Sequence, residues 1–453
     1  MNKIKVYGKD IEDIGLIFLC ILSSFFLIVY NGNNILFPFA CKSPILYITA
    51  VSLIFLLYLK YIVEKKKSIK NIANIPILVY AGLIIISSIV SKHQDLVYWG
   101  FPQRLEGCFA LLSYIIVYFA AFYLIKRKKL YSIIYVLLAF ISIVSIIGIL
   151  EFYGLSPLNQ SFKIIRVGNN FKAAIYSTIG NQNFIGSLLS LCLMVSIILF
   201  VSWKNKFQKL FFFMTSVFIY SCLIVTRTRS AWLATISCVI IFLFFLIKKK
   251  YIKIVWKKLL VLAMVFLIIT FFITITSEGR IASKFFALIK DVKRIELASE
   301  NMDSLGSGRI YIWKNTIPLL KEYFLFGSGP DTFSRVFPYN EEEYLKIFGD
   351  SYVLVDKAHN EFLQIGVTTG IPSLLAYLLF IAVIIFKNGK IIFKLDFFNK
   401  YDSLILASIM GCIAYLIQSF FNISVVSVAP IYWMMLGINQ NLVFKYLDSY
   451  NED

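Results

Sequence analysis

The chain has 453 residues, 59% of them apolar or aromatic and only 15% charged, with a mean hydropathy of +0.79. A water-soluble domain is about 25% charged and has no interior large enough for so much apolar surface, and a disordered chain would be poor in such residues. The formal net charge of +20 would suit a nucleic-acid binder, but the placement of the lysines described below argues against one.

Apolar runs bounded by charge or by Asn, Gly and Pro fall at 14–30, 44–63, 75–90, 109–125, 130–152 and 183–201. Six more fall at 210–225, 231–247, 259–276, 359–386, 403–421 and 425–444. Each is predicted to be a helix able to cross a hydrocarbon core of about 30 Å, because a helix satisfies its own backbone groups where lipid cannot. The predicted fold is therefore an all-α polytopic membrane protein of about twelve transmembrane helices with one large, partly helical extracytoplasmic loop. The first run exceeds the usual 7–15 residues of a signal-peptide core and lacks a small-x-small site, so it reads as an uncleaved helix. The seven cysteines are scattered through apolar runs with no CxxC pair. They read as small buried residues, not as a disulfide framework or a zinc site.

Every second connection is short and rich in lysine. Lys3, Lys5 and Lys9 precede the first span, and Lys65, Lys66, Lys67 and Lys70 follow the second. Lys126, Arg127, Lys128 and Lys129 follow the fourth, and Lys204, Lys206 and Lys209 the sixth. Lys248, Lys249 and Lys250 follow the eighth, and Lys387, Lys390 and Lys394 the tenth. The positive-inside rule puts these connections and both termini in the cytoplasm. Three regions result: helices over 1–276, a hydrophilic loop over 277–358, and three helices with a cytoplasmic tail over 359–453. A loop of about 80 residues is too long for a mere connector, and long loops on rigid scaffolds carry function.

Three constellations lie at the outer boundary. Thr226-Arg227-Thr228-Arg229-Ser230-Ala231-Trp232 puts two arginines against the positive-inside trend, where a guanidinium fork suits phosphate oxygens. In Gly306-Ser307-Gly308-Arg309-Ile310-Tyr311-Ile312-Trp313, Ser307 is expected to cap a helix and Arg309 to sit in its first turn. Ala358-His359-Asn360-Glu361 carries one of only two histidines, at a position suited to a general base. Gly327-Ser328-Gly329-Pro330 reads first as a turn. No spacing of His, Cys or carboxylates favours a metal site, and no cofactor is indicated. A lipid-linked glycan flippase or small-molecule transporter is the alternative. That class calls for mid-membrane charges and repeat symmetry, neither of which is evident.

In this order the motifs resemble the O-antigen ligase and Wzy-type polysaccharide polymerase superfamily, as do Gln103-Arg104-Leu105-Glu106-Gly107 and Gly180-Asn181-Gln182-Asn183-Phe184. The resemblance implies a metal-independent membrane glycosyltransferase of polysaccharide biosynthesis in the cell envelope. It implies an undecaprenyl-diphosphate-linked glycan as donor. The acceptor is a hydroxyl of a glycan, lipid, wall polymer or protein, on the outer face of the cytoplasmic membrane. It implies that Arg229 and Arg309 hold the diphosphate and that His359 activates the acceptor. Many members have Ser before the matching arginine and Gly after it, so Arg227 and Arg229 both stand as candidates here. Arg166, Arg335, Trp313 and Asn360 complete the expected substrate-binding set.

Overall fold

The computed structural model describes residues 2–30, 40–64, 71–158, 164–167, 170–173, 175–283, 286, 303 and 305–450. The first helices are α1 (Asn2–Ser23), α2 (Phe25–Ile28), α3 (Lys42–Glu64), α4 (Asn74–Val90), α5 (Cys108–Tyr123) and α6 (Leu130–Phe152). An antiparallel hairpin follows, β1 (Ile164–Val167) with β2 (Asn170–Ala173), adding a short sheet to a helical fold. Next come α7 (Gln182–Ser202), α8 (Lys206–Val225), α9 (Arg229–Lys248) and α10 (Ile252–Thr276). The large loop holds α11 (Leu305–Glu322), α12 (Phe333–Val336) and α13 (Glu341–Phe348). The chain closes with α14 (Glu361–Thr369), α15 (Ile371–Ile392), α16 (Lys400–Ser419) and α17 (Ala429–Tyr450).

Among the described residues, nine helical segments are long and apolar enough to cross a membrane, and α4 and α5 are apolar but shorter. The chain is a multi-pass membrane protein. Each of the twelve apolar runs falls on helix, but the tenth is not continuous. Gly370 (φ 94°, ψ 158°) ends α14, and Pro372 opens α15. A side chain at Gly370 would lie 2.4 Å from the Leu325 carbonyl oxygen, so the break is built around glycine.

Asparagine starts several of these helices. Asn181, Asn205, Asn360 and Asn399 each accept backbone N–H bonds at the start of α7, α8, α14 and α16. The bundle centres on α7, buried throughout its apolar window and packed against α16, α8 and α9. Inside it, Asn388 of α15 and Asn439 of α17 exchange reciprocal amide bonds of 2.8 and 3.1 Å. Such pairs tie helices together where lipid offers no competing partner.

Contacts between connections separate the two ends. At the lysine-rich end, Lys60 and Lys126 reach Glu12, and Lys249 reaches the Phe393 carbonyl. At the other end, Thr178 bonds the Leu27 carbonyl, Thr228 the Gln182 carbonyl and Arg280 the Phe152 carbonyl. The large loop builds its own small core there from Tyr311, Phe333, Tyr344 and Val355. Those aromatic rings pack inside the loop.

Candidate active site

Three distant segments meet where the large loop lies on the bundle: the α4–α5 connection, Gly327–Asp331, and Asp356–Glu361. A buried ion cluster joins them. Lys357 Nζ lies 2.9 Å from Glu106 Oε2 and 2.8 Å from Asp331 Oδ1, all three side chains being buried. Asp331 Oδ2 accepts the backbone N–H of Phe101 at 2.7 Å and of Glu106 at 3.1 Å, and Tyr114 donates to Glu106 Oε1 at 3.0 Å. Burial alone would lower the Lys357 pKa, but the two carboxylates more than reverse this and hold the ammonium charged. Burial, followed by the opposing pull of Lys357 and the push of Glu106, leaves Asp331 raised. Beside the cluster, Arg104 grips Asp356 with Nε at 2.5 Å and Nη2 at 3.1 Å. The Gly327–Pro330 turn is a clasp: Ser328 N and Gly329 N donate to the Val367 and Thr368 carbonyls at 2.9 and 2.8 Å. At Gly327 (φ 72°) a side chain would lie 2.3 Å from Thr368 backbone.

That scaffold fixes His359. The histidine has φ 50°, a left-handed conformation that non-glycine residues adopt only when neighbours impose it. The neighbours are evident on both sides. Asn360 caps α14, accepting the N–H groups of Phe362 and Leu363 at 3.0 Å each. Ala358 donates its N–H to Gln364 Oε1 at 2.8 Å and accepts the Trp313 indole N–H at 3.1 Å. The Trp313 ring packs against Phe420 and Phe421. Trp313 and Asn360 therefore act on the backbone flanking the histidine. Burial, then the Arg309 charge, pushes the His359 pKa down to about 4, with Asp356 opposing. The imidazole is neutral at pH 7.

The arginines approach from two more segments. Gly306, Ser307 and Gly308 form three consecutive left-handed residues before the regular part of α11. Ser307, at φ 64° and ψ 46°, does not have the extended backbone of an N-cap, so the expected cap is replaced by this turn. Arg309 follows it and folds back, Nη1 donating to the Gly306 carbonyl at 3.4 Å. Burial and the nearby Arg229 charge lower its pKa to about 10, so it stays protonated. Arg229 opens α9, and Thr228 before it donates to the Gln182 carbonyl at 2.9 Å. Arg309 thus bears electrostatically on the segments of both Arg229 and His359, and Arg104 also acts on the histidine.

Residues 214–378 match the O-antigen ligase family model. This segment contains Arg227, Arg229, Arg309, Trp313, the Gly327–Pro330 turn, His359 and Asn360, and the resemblance carried by those motifs is borne out. No curated protein matches the chain.

The remaining expected residues separate from this group. Arg227 (φ 56°) is held down in pKa by burial and by Arg280, its cationic neighbour. Arg280 stacks on Phe152 at 4.2 Å. Arg335 pairs with Asp95 at 3.0 Å, both of them exposed. Arg166 lies on β1 opposite Phe171, and only its backbone is described. Beneath the Arg227–Arg229 turn, within the segment that matches the O-antigen ligase model, is an apolar hollow of about 420 Å³, walled by Leu223, Ile224, Trp232 and Ile236 with Thr270 and Thr274 opposite. Lys357 and Arg280 fall outside the quoted motifs, and nothing in Gln103-Arg104-Leu105-Glu106-Gly107 pairs Arg104 with Asp356. Among the described residues, five of the eight non-glycine residues with positive φ, namely Leu105, Arg227, Ser307, Asp331 and His359, lie in or beside the quoted motifs, a clustering that only the backbone shows.

Proposed function

We propose that the protein moves a glycan from an undecaprenyl-diphosphate carrier to an acceptor hydroxyl on the outer face of the cytoplasmic membrane, without a metal. The carrying observation is the convergence of Arg229, Arg309 and a neutral His359 from three separate segments at the loop-bearing end of the bundle. The O-antigen ligase match supports the glycan ligase or polymerase class. His359 takes the acceptor proton as the acceptor oxygen bonds to the anomeric carbon. The bond from that carbon to the diphosphate oxygen breaks, and the lipid diphosphate leaves with the electron pair. Arg229 and Arg309 stabilise the charge that develops on it, in a site poor in water. The proton on His359 is then released to solvent. The apolar hollow under the arginine turn takes the carrier's first isoprene units. The lysine-rich end faces the cytoplasm, as do both termini.

Purified variants at matched protein level test the division of labour. Arg229→Ala and Arg309→Ala are expected to weaken donor binding and transfer together. His359→Ala should leave donor binding near wild type and slow transfer by about 10²–10⁴-fold. Wild-type transfer by His359→Ala would remove the base, and normal donor handling by both arginine variants would move the clamp elsewhere.

A further inference from the structure

The lysine-rich end holds a second hollow, unrelated to the site above. It opens between the end of α7, the start of α8 and the start of α10, with a volume of about 500 Å³. Phe213 and Val261 contribute to an apolar floor. Lys206, Lys209, Lys257 and Lys258 stand around it. Lys258 is fixed, its Nζ donating to the Val201 and Trp203 carbonyls at 2.6 and 2.9 Å, so it closes the C-terminal end of α7. Elsewhere at this end Lys60 and Lys126 pair with Glu12, and Lys129 with Asp13. None of the ion pairs among the described residues involves the four lysines of the hollow.

Orientation alone needs lysines near the leaflet, but not four of them around a concave apolar floor. We propose that this hollow is a binding site for one anionic phospholipid of the adjacent leaflet. The headgroup phosphate sits among Lys206, Lys209 and Lys257, and an acyl chain lies along Phe213 and Val261. Charge complementarity selects the anionic headgroup, and the apolar floor selects a lipid over a free anion. The inference does not depend on the glycan-transfer reading.

Native mass spectrometry of the full-length protein, titrated with phosphatidylglycerol, phosphatidylcholine of the same chains, or inorganic phosphate, tests it. Wild type should retain phosphatidylglycerol in preference to phosphatidylcholine and should not be stripped of it by phosphate. Each basic contact near a leaflet is worth about a factor of five, so Lys206→Gln/Lys209→Gln/Lys257→Gln should bind about 100-fold more weakly. Lys248→Gln/Lys249→Gln/Lys250→Gln removes the same charge at another point on this end and should bind as wild type. If the first triple variant does not fold, Lys206→Gln and Lys209→Gln singly should each weaken binding about fivefold. Equal loss in both triple variants, equal retention of phosphatidylcholine, or displacement by phosphate overturns the proposal.

Discussion

Replacing Lys357 by methionine removes the one cation between two buried carboxylates. Glu106 and Asp331 are 4% and 3% exposed, and Lys357 lies within 2.9 Å of both. Breaking a buried ion pair by deleting one partner costs about 3–5 kcal/mol, because the other charge is left uncompensated. Here two charges are left, so at least one must take up a proton for the fold to persist. The Asp331 pKa, already raised with Lys357 pulling against it, would then lie further above its unfolded value. The folded state binds more protons, and stability is lost as pH rises through the raised value. Lys357→Met should therefore melt well below wild type at pH 8, with a smaller deficit at pH 6. Adding Glu106→Gln and Asp331→Asn should restore much of the loss, since both amides keep an acceptor oxygen for Tyr114, Phe101 and the Glu106 N–H. Thermal melting of purified protein in detergent at the two pH values reads this out. A Lys357→Met melting curve equal to wild type at pH 8 would falsify the view that this lysine compensates the carboxylates.

Other outcomes can be measured alongside. The acid limb of kcat/KM should lie below pH 5, because His359 titrates at about 4 in the free protein; a limb at 6.5 or above would show an unperturbed histidine. The same lowered pKa means the unfolded chain binds more protons between about 4 and 6.5, so this residue's contribution to stability is lost as pH falls through that window, and His359→Gln should flatten the loss. Cysteines introduced at Tyr352, 93% exposed in the large loop, and at Lys128 should divide cleanly in intact cells, a membrane-impermeant thiol reagent labelling only the first. Turnover should survive exhaustive chelation; recovery that needs one specific cation would refute the metal-free reading.

Much of the fold was legible because lipid imposes a simple rule. Apolar length makes helix, so each of the twelve runs falls on helix, and nine helical segments among the described residues are long and apolar enough to cross a membrane. The break at Gly370 was not legible, because Thr369-Gly370-Ile371-Pro372 sits inside an unbroken apolar run, and only contact with Leu325 shows why the chain turns. Arg229 was visible as an arginine set against the positive-inside trend, Arg309 by its place near the start of an expected loop helix, and His359 as one of only two histidines. Their supports were not. Lys357 and Glu106 are 251 positions apart, and no local pattern announces a pairing over that distance. Trp313 and Asn360 were visible as residues but not in their roles. A tryptophan that braces a carbonyl and an asparagine that caps a helix look, in sequence, like groups free to meet a sugar.

Arg309 and Arg104 near a histidine are at first sight poor design for a base, since their charges oppose its taking a proton. The opposition is useful before the donor arrives. Burial and Arg309 keep His359 unprotonated, with a lone pair available, at any pH near neutrality. A diphosphate between Arg229 and Arg309 would then bring negative charge to the same region and cancel the repulsion. In the proposed reaction the histidine would therefore be a stronger base with acceptor and donor both in place than with the site empty. This coupling requires that His359 not swing away from the arginines. The left-handed backbone at φ 50°, braced by Trp313, Gln364 and the Asn360 cap, is what holds it there. The acid limb of kcat, which reports the complex, should accordingly lie at higher pH than that of kcat/KM, which reports the free protein. Coincident limbs would mean that the donor's charge does not reach the histidine.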